Sequence, residues 1–206
     1  MFDLLFLVVV LATVIVLLIS MVNVLRRRFA QTGKLLLVYG SGLALYFLIL
    51  IIVSLTSPQR VVAMKVDRCF DDWCVGVEDV PQKSELGDVK PEGVFYVVTL
   101  KLSNQGRGRP QRVSSAAIHL LDGQGNSYAV STQGLAAFEA QRGSIPLLTS
   151  LIEVRQPIIT YQVFDLPKDA SDIGLTIRHP VGPAPGLFII GDEASLFHKP
   201  TIVRLQ

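Results

Sequence analysis

Two stretches of this chain, residues 4–25 and 35–56, each run for 22 residues without a charged side chain. As a helix, such a stretch rises about 33 Å, enough to cross a hydrocarbon core of about 30 Å. In the first run 17 residues are Leu, Ile, Val or Phe, and each such residue near the middle of a span favours insertion by about 0.3–0.6 kcal/mol. The β-branched content would suit strands in water. In lipid, however, a lone segment must satisfy every backbone N–H and C=O within itself, which selects helix. The remaining charge pattern agrees. Only Asp3, Arg26, Arg27, Arg28 and Lys34 are charged within residues 1–57, whereas residues 58–206 carry the other 31 charged side chains. The sequence therefore reads as a membrane hairpin followed by a polar domain. A net charge of +2 excludes a nucleic-acid binder driven by bulk positive charge, and the apolar runs exclude a wholly soluble enzyme or a disordered chain.

Arg26, Arg27, Arg28 and Lys34 all fall in the nine residues between the two runs, with no acidic residue among them. So short a connection makes the helices antiparallel. Basic residues near membrane ends are retained in the cytoplasm, while the opposite ends offer only Asp3 and Ser57-Pro58-Gln59. The N-terminus and the domain of residues 58–206 are thus expected outside the cytoplasm, in a two-span protein of the cytoplasmic membrane. A cleaved signal peptide would begin with its basic residues and have a shorter apolar stretch; here the basic cluster follows the run. Gly40 and Ala44 form a small-xxx-small spacing that suits close approach of another helix, or a small-residue pair simply tolerated in lipid.

From residue 59 onward, short alternating or apolar segments are separated by turn residues, the pattern of a β-sandwich or barrel. Strands are expected at residues 61–67, 74–80, 93–104, 113–121, 127–130, 158–166, 173–178, 187–190 and 201–205, with one or two helical turns at 135–141. Residues 81–92, with two prolines, Gly87 and five charges, read as a solvated loop. Residues 105–112 read as a glycine-rich one, and Asp122-Gly123-Gln124-Gly125-Asn126 as a hairpin turn, because Gly and Asn accept positive φ angles.

Three segments carry a family resemblance: Gly93-Val94-Phe95-Tyr96-Val97-Val98-Thr99-Leu100-Lys101-Leu102-Ser103-Asn104, Leu121-Asp122-Gly123-Gln124-Gly125-Asn126-Ser127-Tyr128, and Tyr161-Gln162-Val163-Phe164-Asp165-Leu166-Pro167. Over residues 60–180 the chain resembles the telokin-like, immunoglobulin-like domains of unknown function found in bacterial envelope lipoproteins and membrane proteins. The resemblance implies an immunoglobulin-like antiparallel β-sandwich on the outer face of a bacterial cytoplasmic membrane, and it brings no catalytic residues with it.

Few residues offer chemistry. Cys69 and Cys74, the only cysteines, have four residues between them, a spacing that permits a disulfide, and the expected compartment is one where thiols oxidise. A redox pair, free thiols or a metal site are the other readings, although no further ligands follow nearby. Trp73 reads as a cover for one end of the core or an exposed contact. Arg107, Arg109 and Arg112 on or beside the glycine-rich loop would suit an anionic partner, since guanidinium pairs bidentately with phosphate and carboxylate; a merely wet loop is the plainer account. His119, His179 and His198 lack metal or catalytic spacing, and His119 is expected on the polar face of its strand. Asp122 and Asn126 lack the alternating ligands of a calcium loop. No phosphate-binding, dinucleotide, Gly-x-Ser-x-Gly or His-Glu-x-x-His motif occurs, and adjacent carboxylates such as Asp192-Glu193 and Asp71-Asp72 point apart in a strand. The expectation is a non-catalytic binding or assembly module without cofactor, anchored in the lipid bilayer by its hairpin and acting on an unidentified envelope partner through residues 81–92 and 105–112. A ligand sensor or transporter accessory subunit and an extracytoplasmic enzyme are the alternatives.

Overall fold

In both apolar runs no polar period interrupts the backbone, and the chain forms two long helices, α1 (Phe2–Leu25) and α2 (Phe29–Thr56). The computed structural model describes residues 2–70, 72–106, 108–113, 116–178 and 185–205. The basic connection is shorter than expected. Arg28 is the N-cap of α2, so that Lys34 lies inside the helix. The cause is local: after Arg27, at φ 57°, the N–H groups of Gln31 and Thr32 already bond to the Arg28 carbonyl. Between the helices Tyr39 reaches across to α1, its hydroxyl bonding to Thr13 Oγ1 and donating to the Val9 carbonyl.

The remaining elements are β1 (Val61–Val62), β2 (Arg68–Phe70), β3 (Trp73–Asp79), β4 (Gln82–Lys83), β5 (Val94–Asn104), β6 (Gln111–Arg112), β7 (Ala117–Leu121) and β8 (Ser127–Tyr128). They are followed by α3 (Thr132–Arg142), β9 (Leu151–Ile152), β10 (Ile158–Leu166), β11 (Gly174–Arg178), a 3-10 turn (Pro185–Phe188) and β12 (Ile202–Arg204). Two sheets result, in the order β1-β12-β11-β7-β8 and β10-β5-β3-β2, with β4 added beside β5 and a separate β6-β9 pair. All pairings are antiparallel except β1 with β12.

Alternation along β5 explains the layers. Val98, Leu100 and Leu102 point into a core shared with Ile118, Leu120, Leu175 and Ile177 of the other sheet. Phe95 and Val97 point the other way, into a smaller cluster with Leu86 and Val163. Leu135 and Phe138 of α3 cover that second cluster. The helix is longer than its apolar pattern suggested because Ser131 caps it, its Oγ accepting from Gly134 N at 3.1 Å. Gly134 is needed for close approach, since a Cβ there would lie 2.8 Å from Val163 and 2.9 Å from Phe95.

Residues 81–92 are not simply solvated. Leu86 is buried in the second cluster, and Leu86 and Val89 exchange backbone hydrogen bonds of 2.9 and 3.1 Å around Gly87, turning the apolar side chain inward. Likewise, among the described residues of the expected strand at 113–121, Ala117–Leu121 form a strand of the main sheets, and the preceding Gln111–Arg112 pair with β9. Residues 187–190 are not a strand; the 3-10 turn and bends occupy them.

The domain boundary also differs from the expected 57/58 division. By internal contacts, residues 185–200 belong to the unit of the two helices, and residues 60–178 with 201–205 form the β unit. Tyr46 donates to the Phe188 carbonyl at 2.5 Å, Phe47 and Phe188 rings meet edge to face at 6.2 Å, and Ser54 and Ser195 share a buried hydroxyl bond of 2.8 Å. Those side chains lie on α2, which is why this segment joins the helices.

Candidate partner-binding site

Cys69 and Cys74 are directly opposed on the antiparallel pair β2 and β3, and a disulfide joins them with Cα atoms 3.9 Å apart. So small a loop constrains the unfolded chain by about 2 kcal/mol on a chain-entropy account. Beside the bridge, Phe70 and Trp73 are also paired across the strands, their rings stacked at 4.8 Å, and the Arg68 guanidinium lies 4.6 Å above Phe70. Trp73 is buried in the main core, as a residue closing its end. β2 had not been expected, for three residues are too few to show a period.

Register puts Trp73 opposite Asn104, the last residue of β5, so the β2–β3 turn abuts the glycine-rich loop. Asn104 is buried, and its one amide organises that loop. Nδ2 donates to the carbonyls of Arg109 (2.8 Å) and Ile152 (3.0 Å), while Oδ1 accepts from Gly106 N (2.8 Å). Asp72 ties the loop to the hairpin: its carbonyl accepts from Gln105 N at 2.7 Å and its carboxylate from Gln111 Nε2 at 3.1 Å. Gly106 permits the crossing, since a Cβ would fall 2.9 Å from Asn104 Oδ1, and Gly108 takes φ +82°.

Arg109 and Arg112 are exposed on this braced loop, and neither has an ion-pair partner among the described residues. Arg107 lies outside the described residues. The arrangement can present guanidinium groups at a fixed place rather than on a flexing chain, which lowers the ordering entropy lost on binding. By contrast Lys101, on the sheet, is occupied by Asp67 at 2.9 Å and Glu78 at 3.4 Å; the hydrogen bond it donates to Asp67 is the main reason its pKa rises.

The other candidates separate. His119 stands on the outer face of β7 between core residues Ile118 and Leu120, as expected; His179 lies outside the described residues; His198 bonds the Lys199 carbonyl through Nδ1 at 2.8 Å. Among the described residues, no three His, Cys, Asp or Glu side chains converge as a metal site would need. Asp122 is consumed by its turn: Oδ1 accepts from Gln124 N and Asn126 N, and Oδ2 accepts from Asn126 Nδ2 and the Tyr128 hydroxyl. The Asn126 side chain is the largest cause of its lowered pKa, and the same carboxylate raises the pKa of Tyr128. Gly40 and Ala44 are exposed on α2, with open space around Gly40, whereas neighbouring Tyr39 faces α1. Arg26, Arg27, Arg28 and Lys34 are exposed at the turn end of the helix pair.

One feature went unread in the sequence. An open groove of about 550 Å³ runs beside α3, where Arg142 lies 4.5 Å above the Tyr161 ring and 5.9 Å from Phe138. The i,i+4 spacing of Phe138 and Arg142 was the available signal, but only the helix makes it meaningful.

No protein-family model matches the chain, and no curated protein matches it. Three solved structures are similar. A conserved hypothetical protein from Bacillus anthracis is 19% identical, with a TM-score of 0.46, over 57% of this chain and 88% of that one. An uncharacterized beta-sandwich protein from Clostridium difficile is 10% identical (TM-score 0.41) over 73% and 96% of the two chains. The yjhA protein from Bacillus subtilis is 11% identical (TM-score 0.42) over 70% and 99%.

Proposed function

We propose that this chain is a membrane-anchored, non-catalytic binding or assembly module. In this reading α1 and α2 span a bacterial cytoplasmic membrane, Arg26, Arg27, Arg28 and Lys34 hold their turn in the cytoplasm, and an immunoglobulin-like sandwich works outside it on an anionic envelope partner. The helices are long and apolar enough to span, and the disulfide suits an oxidising compartment. The observation that carries the binding role is the loop of residues 105–112, clamped by Asn104 and Asp72 with Arg109 and Arg112 left exposed.

A photo-crosslinking residue placed at Arg109 or Arg112 in the full chain, in native membranes, tests this. The expected result is a discrete adduct that is lost when the other arginine is changed to Gln, with no adduct from a control position at Gln124. Uncrosslinked monomer at both arginine positions, or equal adducts at Gln124, would refute the binding role.

A further inference from the structure

Between β11 and β12 the sequence Pro185-Gly186-Leu187-Phe188-Ile189-Ile190-Gly191-Asp192-Glu193-Ala194-Ser195-Leu196-Phe197 interrupts a sheet with apolar side chains that the sheet does not use. It lies along the second half of α2, its described contacts running from Tyr46 and Phe47 at Phe188 to Ser54 at Ser195. We infer that residues 185–197 are an interfacial membrane segment, seated in the outer leaflet beside α2 with Phe188 and Phe197 in lipid. This rests on the reading of α1 and α2 as membrane spans.

Depth follows from the helix. Thr56 ends α2, and at about 1.5 Å per residue Tyr46 lies about 15 Å before that end. If the hydrocarbon begins at Lys34, a core of about 30 Å ends near Ser54 and Tyr46 lies about 12 Å inside it; if it begins at Arg28, with Lys34 snorkelling, Tyr46 lies about 3 Å inside. In either case Phe188, held against Tyr46, sits within the outer hydrocarbon, and Ser195, held against Ser54, sits at or beyond its edge.

The backbone is suited to that position, where irregular chain must satisfy its polar groups internally or against protein. Ile189 N bonds to Gly186 O, Asp192 N to Ile189 O, Ser195 N to Asp192 O and Leu196 N to Leu187 O. The Phe188 carbonyl receives the Tyr46 hydroxyl, and Asp192 Oδ1 receives Ala194 N. Ser54 and Ser195, both buried, satisfy each other. The large apolar side chains of the segment that remain outward are Phe188, 39% exposed, and Phe197, 66% exposed, while its exposed charge, Glu193, lies next to Ala194 and Ser195 at the end held against Ser54, toward the headgroups. With the core beginning at Arg28, the level of Phe188 beside Tyr46, about 3 Å inside, is that at which aromatic rings anchor a membrane interface.

The test places single tryptophans in the full chain, in a Trp73→Phe background, reconstituted in phosphatidylcholine vesicles. Phe188→Trp is the main probe, Phe197→Trp the second, and Val14→Trp in mid-α1 reports whether the hairpin spans. Lipids brominated near the headgroup or deep in the acyl chain are the quenchers within the bilayer, and iodide is the quencher in water. The expected result is Val14→Trp quenched by deep bromine and Phe188→Trp losing at least half its emission to shallow bromine while ignoring iodide, with Phe197→Trp shallower still. Deep quenching at Val14 with iodide quenching at Phe188 and Phe197 overturns the interfacial segment and leaves the hairpin. Val14→Trp untouched by any lipid bromine overturns the membrane reading and this inference with it. Phe188→Trp reached by neither quencher overturns the inference in favour of a protein cover, such as a second copy.

Discussion

The helix pair and the β unit are built from the same kinds of apolar residue and place them in opposite ways. Leu11, Leu17 and Leu37 of the helices are each at least 60% exposed, whereas Leu100, Leu120 and Leu175 of the sheets are wholly buried. In the β unit, burial of those side chains offsets the conformational entropy of ordering the chain. In the helix pair most of the apolar surface has no described residue against it. Exposed apolar patches on this scale mark interaction surfaces, and on the proposed reading what covers them is lipid. On that reading the two parts are stable in different solvents, and substitutions that are equivalent on paper should have consequences of very different size in them.

The largest expected effect concerns orientation. Changing Arg26, Arg27, Arg28 and Lys34 together to Gln removes the charge asymmetry that, on the proposed reading, orients the hairpin. Protease added to intact cells should degrade the β unit of the parent from outside. In the variant a substantial protected fraction is expected. Identical digestion of both proteins would show that these four residues do not set the topology.

Next comes the contrast in burial. Leu100→Ala opens a cavity in the sandwich core and should cost about 2–5 kcal/mol, read from denaturation of the detergent-solubilised chain. Leu37→Ala, 71% exposed on α2, removes no protein contact of comparable size and should move the same transition by about 0.5 kcal/mol or less. Equal losses would mean that Leu37 is packed against protein, in an oligomer or a complex, and the contrast drawn above would fail.

A smaller effect tests whether the glycine-rich loop is as ordered as the sheets. Asn104→Ala strips hydrogen bonds from the Arg109 and Ile152 carbonyls and from Gly106 N. The expected loss is about 1–3 kcal/mol, with faster amide exchange confined to residues 105–112. Uniform exchange through the β unit would instead make Asn104 a residue of the global core.

How much of this was legible depended on length and partners. β10 runs from Ile158 to Leu166, and β5 from Val94 to Asn104, essentially as their patterns indicated, because nine or more residues show their alternation. The two apolar helices were legible for the same reason. Residues 187–190 were misread as a strand since four apolar residues in a row carry no period, and what decides their structure, the Tyr46 hydroxyl on the Phe188 carbonyl, is 142 positions away. The cysteine pair was readable as a disulfide from its spacing together with the expected compartment, with a redox pair, free thiols or a metal site as the other readings. The bracing of the arginine loop was not, because it depends on Asn104 being buried and on Asp72 arriving from another hairpin. Nor could the sequence separate Gly40 from Tyr39, which face different ways on one helix.

The smallest effect concerns the turn that the sequence displayed most plainly. In the folded chain Asp122 is stabilised as a carboxylate, chiefly by the Asn126 side chain and further by backbone N–H groups and Tyr128. Its pKa is therefore below that of the unfolded chain, near 3.9. The sign follows from proton binding: between the two values the unfolded state holds more protons, so stability rises with pH there. The contribution is fully present above the unfolded value and is lost as pH falls through the folded one. Asp122→Asn removes the titrating group while keeping one acceptor oxygen. Melting of the parent should fall more steeply on acidification below about pH 4 than melting of the variant, while the two should stay a constant distance apart between about pH 6 and 8. Because the group lies at the surface, the difference should shrink in high salt. Parallel acid limbs would show that the hydrogen bonds of this turn persist in the unfolded chain, which a five-residue Asx turn is short enough to allow. The stability of the hairpin would then lie in Leu120 and Tyr128, which pair across it.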